Sequence, residues 1–219
     1  VLVAILTFFL PAAKLDDSGT WIEGLRLLPQ RPPVALFLLG TLFIGGPLIT
    51  GVQYLSIYMD ELGASGWLIG LSVSMMAILE IPFMRWTPSL LDRFKISRLL
   101  MIGVLILPLR WLLFAVIREP LLMLPVQVTH SIAIVTLVVV AATFIDRQLP
   151  PRWRATGQGL LTTSVLGLGP SLAQFAAGAV SDAYSLRSVW WGAMGVTFIG
   201  IGLMALALRQ MRSPEGQGA

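Results

Sequence analysis

Residues 99–117 read LLMIGVLILPLRWLLFAVI. A stretch this long and this apolar crosses a bilayer as an α-helix, which takes about 20 residues. Arg110 alone interrupts it. A charged side chain in hydrocarbon costs on the order of a few kcal/mol or more, so it faces a partner or a water-filled path. The stretch therefore fixes two things together: a membrane-spanning helix, and a polar feature inside it.

Five further apolar blocks flank this one, at 33–58, 67–85, 121–145, 156–180 and 188–208. The chain as a whole is 56% hydrophobic and 12% charged, against about 25% charge in ordinary soluble domains. Spanning segments must satisfy their own backbone hydrogen bonds, which helices do. The residue alternation of a membrane β-barrel is absent. The predicted fold class is all-α, a polytopic transmembrane helical bundle. Residues 33–208 form six full spans, and a shorter apolar run, 1–13, forms the end of a seventh. That run lacks the basic segment that precedes a signal-peptide core, so it is expected to close a truncated helix, the chain being the later part of a longer protein. The 219 residues contain no cysteine, which excludes disulfides and thiolate metal sites. No metal, cofactor or nucleic acid is expected; the partners expected are the bilayer, a small solute, protons and a missing N-terminal half.

The loops alternate in charge. The connector 14–32 carries Lys14, Arg26 and Arg31, whereas 59–66 carries only Asp60 and Glu61. Segment 85–98 carries Arg85, Arg93, Lys95 and Arg98; the turn 118–120 has only Arg118. Loop 146–155 has Arg147, Arg152 and Arg154, the turn 181–188 only Arg187, and the tail Arg209 and Arg212. Basic loops mark the cytoplasmic side. The connector and the tail 209–219 are therefore expected inside the cell, and the protein in a bacterial inner membrane. The connector is the longest link, with Pro29, Pro32 and Pro33, and looks like a join between two bundles.

Two more ionisable residues lie within spans, Glu80 and His130. Helix rise puts Arg110 and His130 near mid-span, with Gln127 one turn before His130 on the same face; Glu80 is expected a turn or two nearer the cytoplasm. A guanidinium is a permanent cation. A carboxyl group in an apolar site and an imidazole both exchange protons in the physiological range. A transporter coupled to protons needs both kinds of group, near the midplane. Structural alternatives exist: Glu80 paired with Arg85 or water, and His130 as a neutral helix contact. Gly45-Gly46-Pro47 and Gly167-Leu168-Gly169-Pro170 are candidate flexible points or close contacts. Trp67, Trp153, Trp190 and Trp191 are expected at the interface, with Trp111 deeper; Tyr54 and Tyr58 belong to an outer belt or vestibule.

Certain motifs carry a family resemblance. Pro88-Ser89-Leu90-Leu91-Asp92-Arg93, followed by Lys95 and Arg98, is similar to the cytoplasmic motif between helices eight and nine of the major facilitator superfamily, with Pro88 where that motif opens with Gly. Arg154-Ala155-Thr156-Gly157-Gln158-Gly159 and Gly178-Ala179-Val180-Ser181-Asp182-Ala183-Tyr184 resemble the entry and exit of helix eleven. The chain resembles the C-terminal half of such a transporter, in the lactose permease-like and phenylpropionate permease-like proton symporters. The resemblance implies helices seven to twelve for 33–208, a central cytoplasmic loop at 14–32, and the end of helix six at 1–13. It places Arg110 and His130 where lactose permease has its helix-nine Arg and helix-ten His, and Glu80 about one turn from its helix-eight acid; with Gln127, taken from its face on the His130 helix, these are the candidate site residues, and Asp92, Arg93, Arg98 and Arg154 the candidate cytoplasmic gate. Ala133 stands where lactose permease has its proton-carrying Glu, so coupling would use another group and sugar gains no support.

The expected function is half of a secondary transporter, carrying a small polar or anionic organic solute with protons by alternating access. Efflux by proton exchange uses the same fold. A receptor or scaffold on this fold is the competing class. An intramembrane enzyme finds no His-Glu-x-x-His or Gly-x-Ser-x-Gly motif to support it.

Overall fold

A computed structural model describes residues 29–211. The run 1–13, most of the connector and the end of the tail lie outside the described residues. The rest forms six long helices: α1 (Pro32–Glu61), α2 (Gly66–Arg93), α3 (Ile96–Val116), α4 (Pro120–Gln148), α5 (Pro151–Ala183) and α6 (Leu186–Gln210). All six are long and apolar enough to cross a membrane.

Their ends follow capping chemistry. Prolines open α1, α4 and α5, where a missing N–H costs nothing. Ser65 and Ser185 cap α2 and α6, accepting the N–H groups of Leu68 and Ser188. Gly63, at φ 83°, makes the left-handed turn between α1 and α2.

Two links are shorter than expected. The segment 85–98 is helical through Arg93, and only Phe94 and Lys95 separate α2 from α3. Asp92 and Arg93 therefore end a helix rather than occupy a loop. Likewise Leu149 and Pro150 alone join α4 to α5. Hydropathy marks where the bilayer ends, whereas a helix ends where its backbone changes direction; Phe94 does so at ψ 149° and Pro150 at ψ 152°.

Helix α1 is the central strut, with α5 and α6 packed on it. A Cβ on Gly46 would lie 2.7 Å from the carbonyl oxygen of Gly169, and one on Gly45 would lie 2.8 Å from Cα of Val165. The two glycine-proline clusters thus face each other across the α1–α5 seam. Gly40 and Gly200 make a similar contact between α1 and α6, where a Cβ on Gly40 would lie 3.0 Å from the Gly200 carbonyl oxygen. Small residues let membrane helices approach this closely. Helix α3 meets α4 where Gly103 leaves room for the Thr136 side chain. π-Helical turns widen α4 at Thr136–Val140 and α5 at Thr163–Leu168; such turns are frequent at functional positions.

An aromatic cluster fills the bundle between α1, α3 and α6. The Trp111 and Trp190 rings stack at 6.0 Å and 7°, with Phe114 and Tyr58 edge-on to Trp190. Trp111 donates its indole N–H to Thr197 Oγ1 at 2.9 Å, and Gly51 leaves room for the Trp111 ring. Trp190 is therefore a core residue and not an interfacial anchor, and Tyr54 and Tyr58 are buried rather than open to a vestibule. Trp67 and Trp191 are exposed, as interfacial residues are, and Trp153 is half-buried.

Candidate functional site

Helices α2, α3 and α4 bring Glu80, Arg110, Gln127 and His130 into one polar patch inside the bundle. Arg110 is fully buried. One terminal nitrogen donates to the Val126 carbonyl oxygen and to Thr129 Oγ1, each at 3.2 Å, and the other donates to Gln127 Oε1 at 3.1 Å. Its carbon lies 4.4 Å from the centre of the Phe114 ring. Gln127 is held in turn, its amide donating to the Met123 carbonyl oxygen at 2.8 Å, which leaves Oε1 turned to Arg110. The cation is thus cradled by neutral acceptors of α4 and a π face, and no described carboxylate lies within 4.0 Å of it.

His130, one residue beyond Thr129, turns to the other side. Its Nε2 lies 3.7 Å from Glu80 Oε1, close enough for charge attraction when the imidazole is protonated and too long for a hydrogen bond. Ser131 locks the same seam by donating to the Met76 carbonyl oxygen at 2.9 Å. Glu80 was expected a turn or two nearer the cytoplasm; it lies beside His130 because side chains tilt toward the start of their helix, and this brings the carboxylate back up α2. It faces His130 rather than Arg85. Of the pair, Glu80 is the open member, with 27% of its side chain exposed against 5% for His130.

Access therefore grades outward, from buried Arg110 and Gln127, through His130, to Glu80. Arg110 and His130 were expected at similar depth; the guanidinium binds Val126, Gln127 and Thr129, in the turn of α4 that leads up to His130. Thr129, unremarked in the sequence, is an acceptor for Arg110, and its only signal there was a hydroxyl inside a span. Ala133 is fully buried.

The residues expected to form a gate are all exposed. Asp92, Arg93 and Arg98 are exposed around the α2–α3 link, and Arg154 is exposed on the first turns of α5. Near them Gln158 donates to Asp146 Oδ1 at 2.9 Å and to the Ala142 carbonyl oxygen at 2.8 Å, clasping α4 to α5.

A six-helix membrane bundle with an acid, an imidazole and a buried cation at mid-span defines a polytopic integral membrane protein of transporter type. The chain belongs to the MFS_1 like family, whose model matches residues 18–191. It is 26% identical to the maltose permease of Geobacillus stearothermophilus, over 96% of this chain and 54% of that protein. It is 25% identical to nucleoside permease NupG of Escherichia coli strain K12, over 91% of this chain and 53% of that protein. A crystal structure of a NupG point variant superposes with a TM-score of 0.73 at 25% identity, covering 94% of this chain and 58% of that one. The chain spans about half the length of the curated relatives it matches. These relatives are permeases, and the intramembrane-enzyme alternative is set aside.

Proposed function

We propose that this chain is one half of a secondary transporter that carries a small neutral polar solute with protons by alternating access, and that Glu80 and His130 form its coupling pair. The carrying observation is the 3.7 Å approach of Glu80 to His130, with Glu80 as the more exposed member of the pair. A proton taken by Glu80 leaves the pair neutral or positive; a proton lost leaves an anion beside the imidazole, with Arg110 as the fixed charge close by. Such changes bias which face of the bundle opens, because a lone charge is costly in the closed site.

The solute reading favours a neutral over an anionic molecule. Arg110 is fully buried and both of its terminal nitrogens already donate to α4; its Nε–H has no partner among the described residues but is buried as well, so no edge of the guanidinium is open to a carboxylate. Maltose and nucleosides, after which the relatives are named, are hydroxyl-rich solutes. In the same proposal residues 1–13 end a preceding helix, 14–32 connect the halves in the cytoplasm, 33–208 form the second bundle, and 209–219 are a cytoplasmic tail. Asp92, Arg93, Arg98 and Arg154 then stand on the inner face of a bacterial inner membrane, where they gate against the other half.

The test is Glu80→Gln in the full-length protein, reconstituted in liposomes. Uptake driven by a pH gradient is expected to vanish, while exchange of labelled for unlabelled solute continues. Gradient-driven uptake at the wild-type rate would remove Glu80 from coupling.

A further inference from the structure

Helix α5 is the least hydropathic of the six spans, with a mean hydropathy of 1.2, and one of the two least covered by the rest of the bundle. Its exposed residues are of both chemistries, with Phe175, 83% exposed, standing beside the polar ones. Leu172 and Ala176 flank α6 across an apolar groove. On the side turned away from that groove stand Ser171 and Gln174; one turn on from Gln174, a Cβ on Gly178 would lie 3.5 Å from the buried Tyr54 hydroxyl. The Ser171 hydroxyl donates back to the Gly167 carbonyl oxygen at 3.0 Å, which leaves its oxygen lone pairs free. The carboxamide of Gln174 is exposed and makes no hydrogen bond to the described residues.

An amide with two donors and an acceptor is not stable facing lipid. Depth adds the second observation. Helices α4 and α5 run in opposite directions, so the Pro120 end of α4 and the Ala183 end of α5 lie on the same side. Gln174 is about 13 Å from that end, Ser171 about 18 Å and His130 about 15 Å, at 1.5 Å per residue. The free amide of α5 therefore sits level with the Glu80–His130 pair.

We infer that Gln174, supported by Ser171, forms the second wall of the solute path and hydrogen-bonds the hydroxyl or amide groups of a neutral polar solute. The inference rests on the proposed transport function and names a specificity-determining residue for it. A carboxamide suits such a ligand because it donates and accepts without adding charge, whereas an ionised Glu80 can only accept.

Two measurements on the full-length transporter, made cysteine-free, test this. In vesicles of both orientations, Gln174→Cys should react with a membrane-impermeant thiosulfonate, while Leu172→Cys, on the α6 side, should not. In proteoliposomes supplied with labelled maltose or uridine, Gln174→Leu should raise KM at least tenfold with the maximal rate largely kept, and Gln174→Asn should recover part of the loss. A Gln174→Cys that reacts no faster than Leu172→Cys from either side overturns the inference, since the amide would then face lipid. Wild-type KM with a reduced maximal rate in Gln174→Leu also overturns it, because the residue would then contact the other half rather than solute. Proton coupling is read separately, by collapsing the pH gradient with an ionophore; wild-type uptake indifferent to that treatment refutes the coupling pair and leaves the KM result intact.

Discussion

Replacing Arg110 by Met separates a structural cation from a functional one. Methionine keeps the unbranched stem and loses three hydrogen bonds, to Val126, Thr129 and Gln127, together with the contact on Phe114. The Val126 carbonyl still accepts the Thr129 hydroxyl at 2.5 Å, so the principal orphan is Gln127 Oε1. A buried acceptor left without a donor costs about 1–3 kcal/mol, and the lost ring contact up to about 2 kcal/mol. Against these stands the burial of a cation with no described carboxylate within 4.0 Å. Desolvating an ion costs several kcal/mol even after relaxation, and Met avoids that cost. The opposing effects cancel to within about 2 kcal/mol. Arg110→Met should therefore insert, fold and melt within a few degrees of wild type, or later, while uptake falls to background. The assays are thermal unfolding of the purified full-length protein in detergent and solute uptake in proteoliposomes. A variant that loses more than about 3 kcal/mol would show that Arg110 holds the bundle together. Uptake near the wild-type rate would refute its place at the site.

Gly46→Leu should open the α1–α5 seam, since even its Cβ meets the Gly169 carbonyl, which is backbone and cannot swing aside. A loss of about 1–3 kcal/mol in thermal unfolding is expected, whereas Gly192→Ala, with nothing within 4 Å of the new carbon, should be nearly silent; equal melting of the two variants would contradict the close contact. Gln158→Leu removes both bonds of the α4–α5 clasp. It should cost about 1–2 kcal/mol and speed amide hydrogen exchange at the tip of that hairpin, and unchanged exchange there would show that the clasp is dispensable.

Much of the fold was legible because the bilayer imposes one length and one secondary structure on every span. Apolar blocks placed all six helices to within a few residues, except where a helix outruns the hydrocarbon, as α2 does from Arg85 to Arg93. The rarity of charge in such blocks likewise singled out Glu80, Arg110 and His130. Periodicity could not say which way each of them turns. Helix α4 carries Gln127, Thr129 and His130 within two turns, and only its packing against α2 on one side and α3 on the other assigns His130 to Glu80 and the rest to Arg110. The same holds for Trp190, whose position near a span end looks interfacial until α1 and α3 close over it.

Composition by itself thus determined that the chain is helical, spans a membrane and holds ionisable groups at depth, because burying an unpaired backbone or a charge in hydrocarbon is costly wherever it occurs. The tertiary structure alone decided which of those groups are shut in and which is open. Exposure and pairing depend on distances between helices far apart in sequence, set here by glycine contacts and π-helical turns that hydropathy does not register.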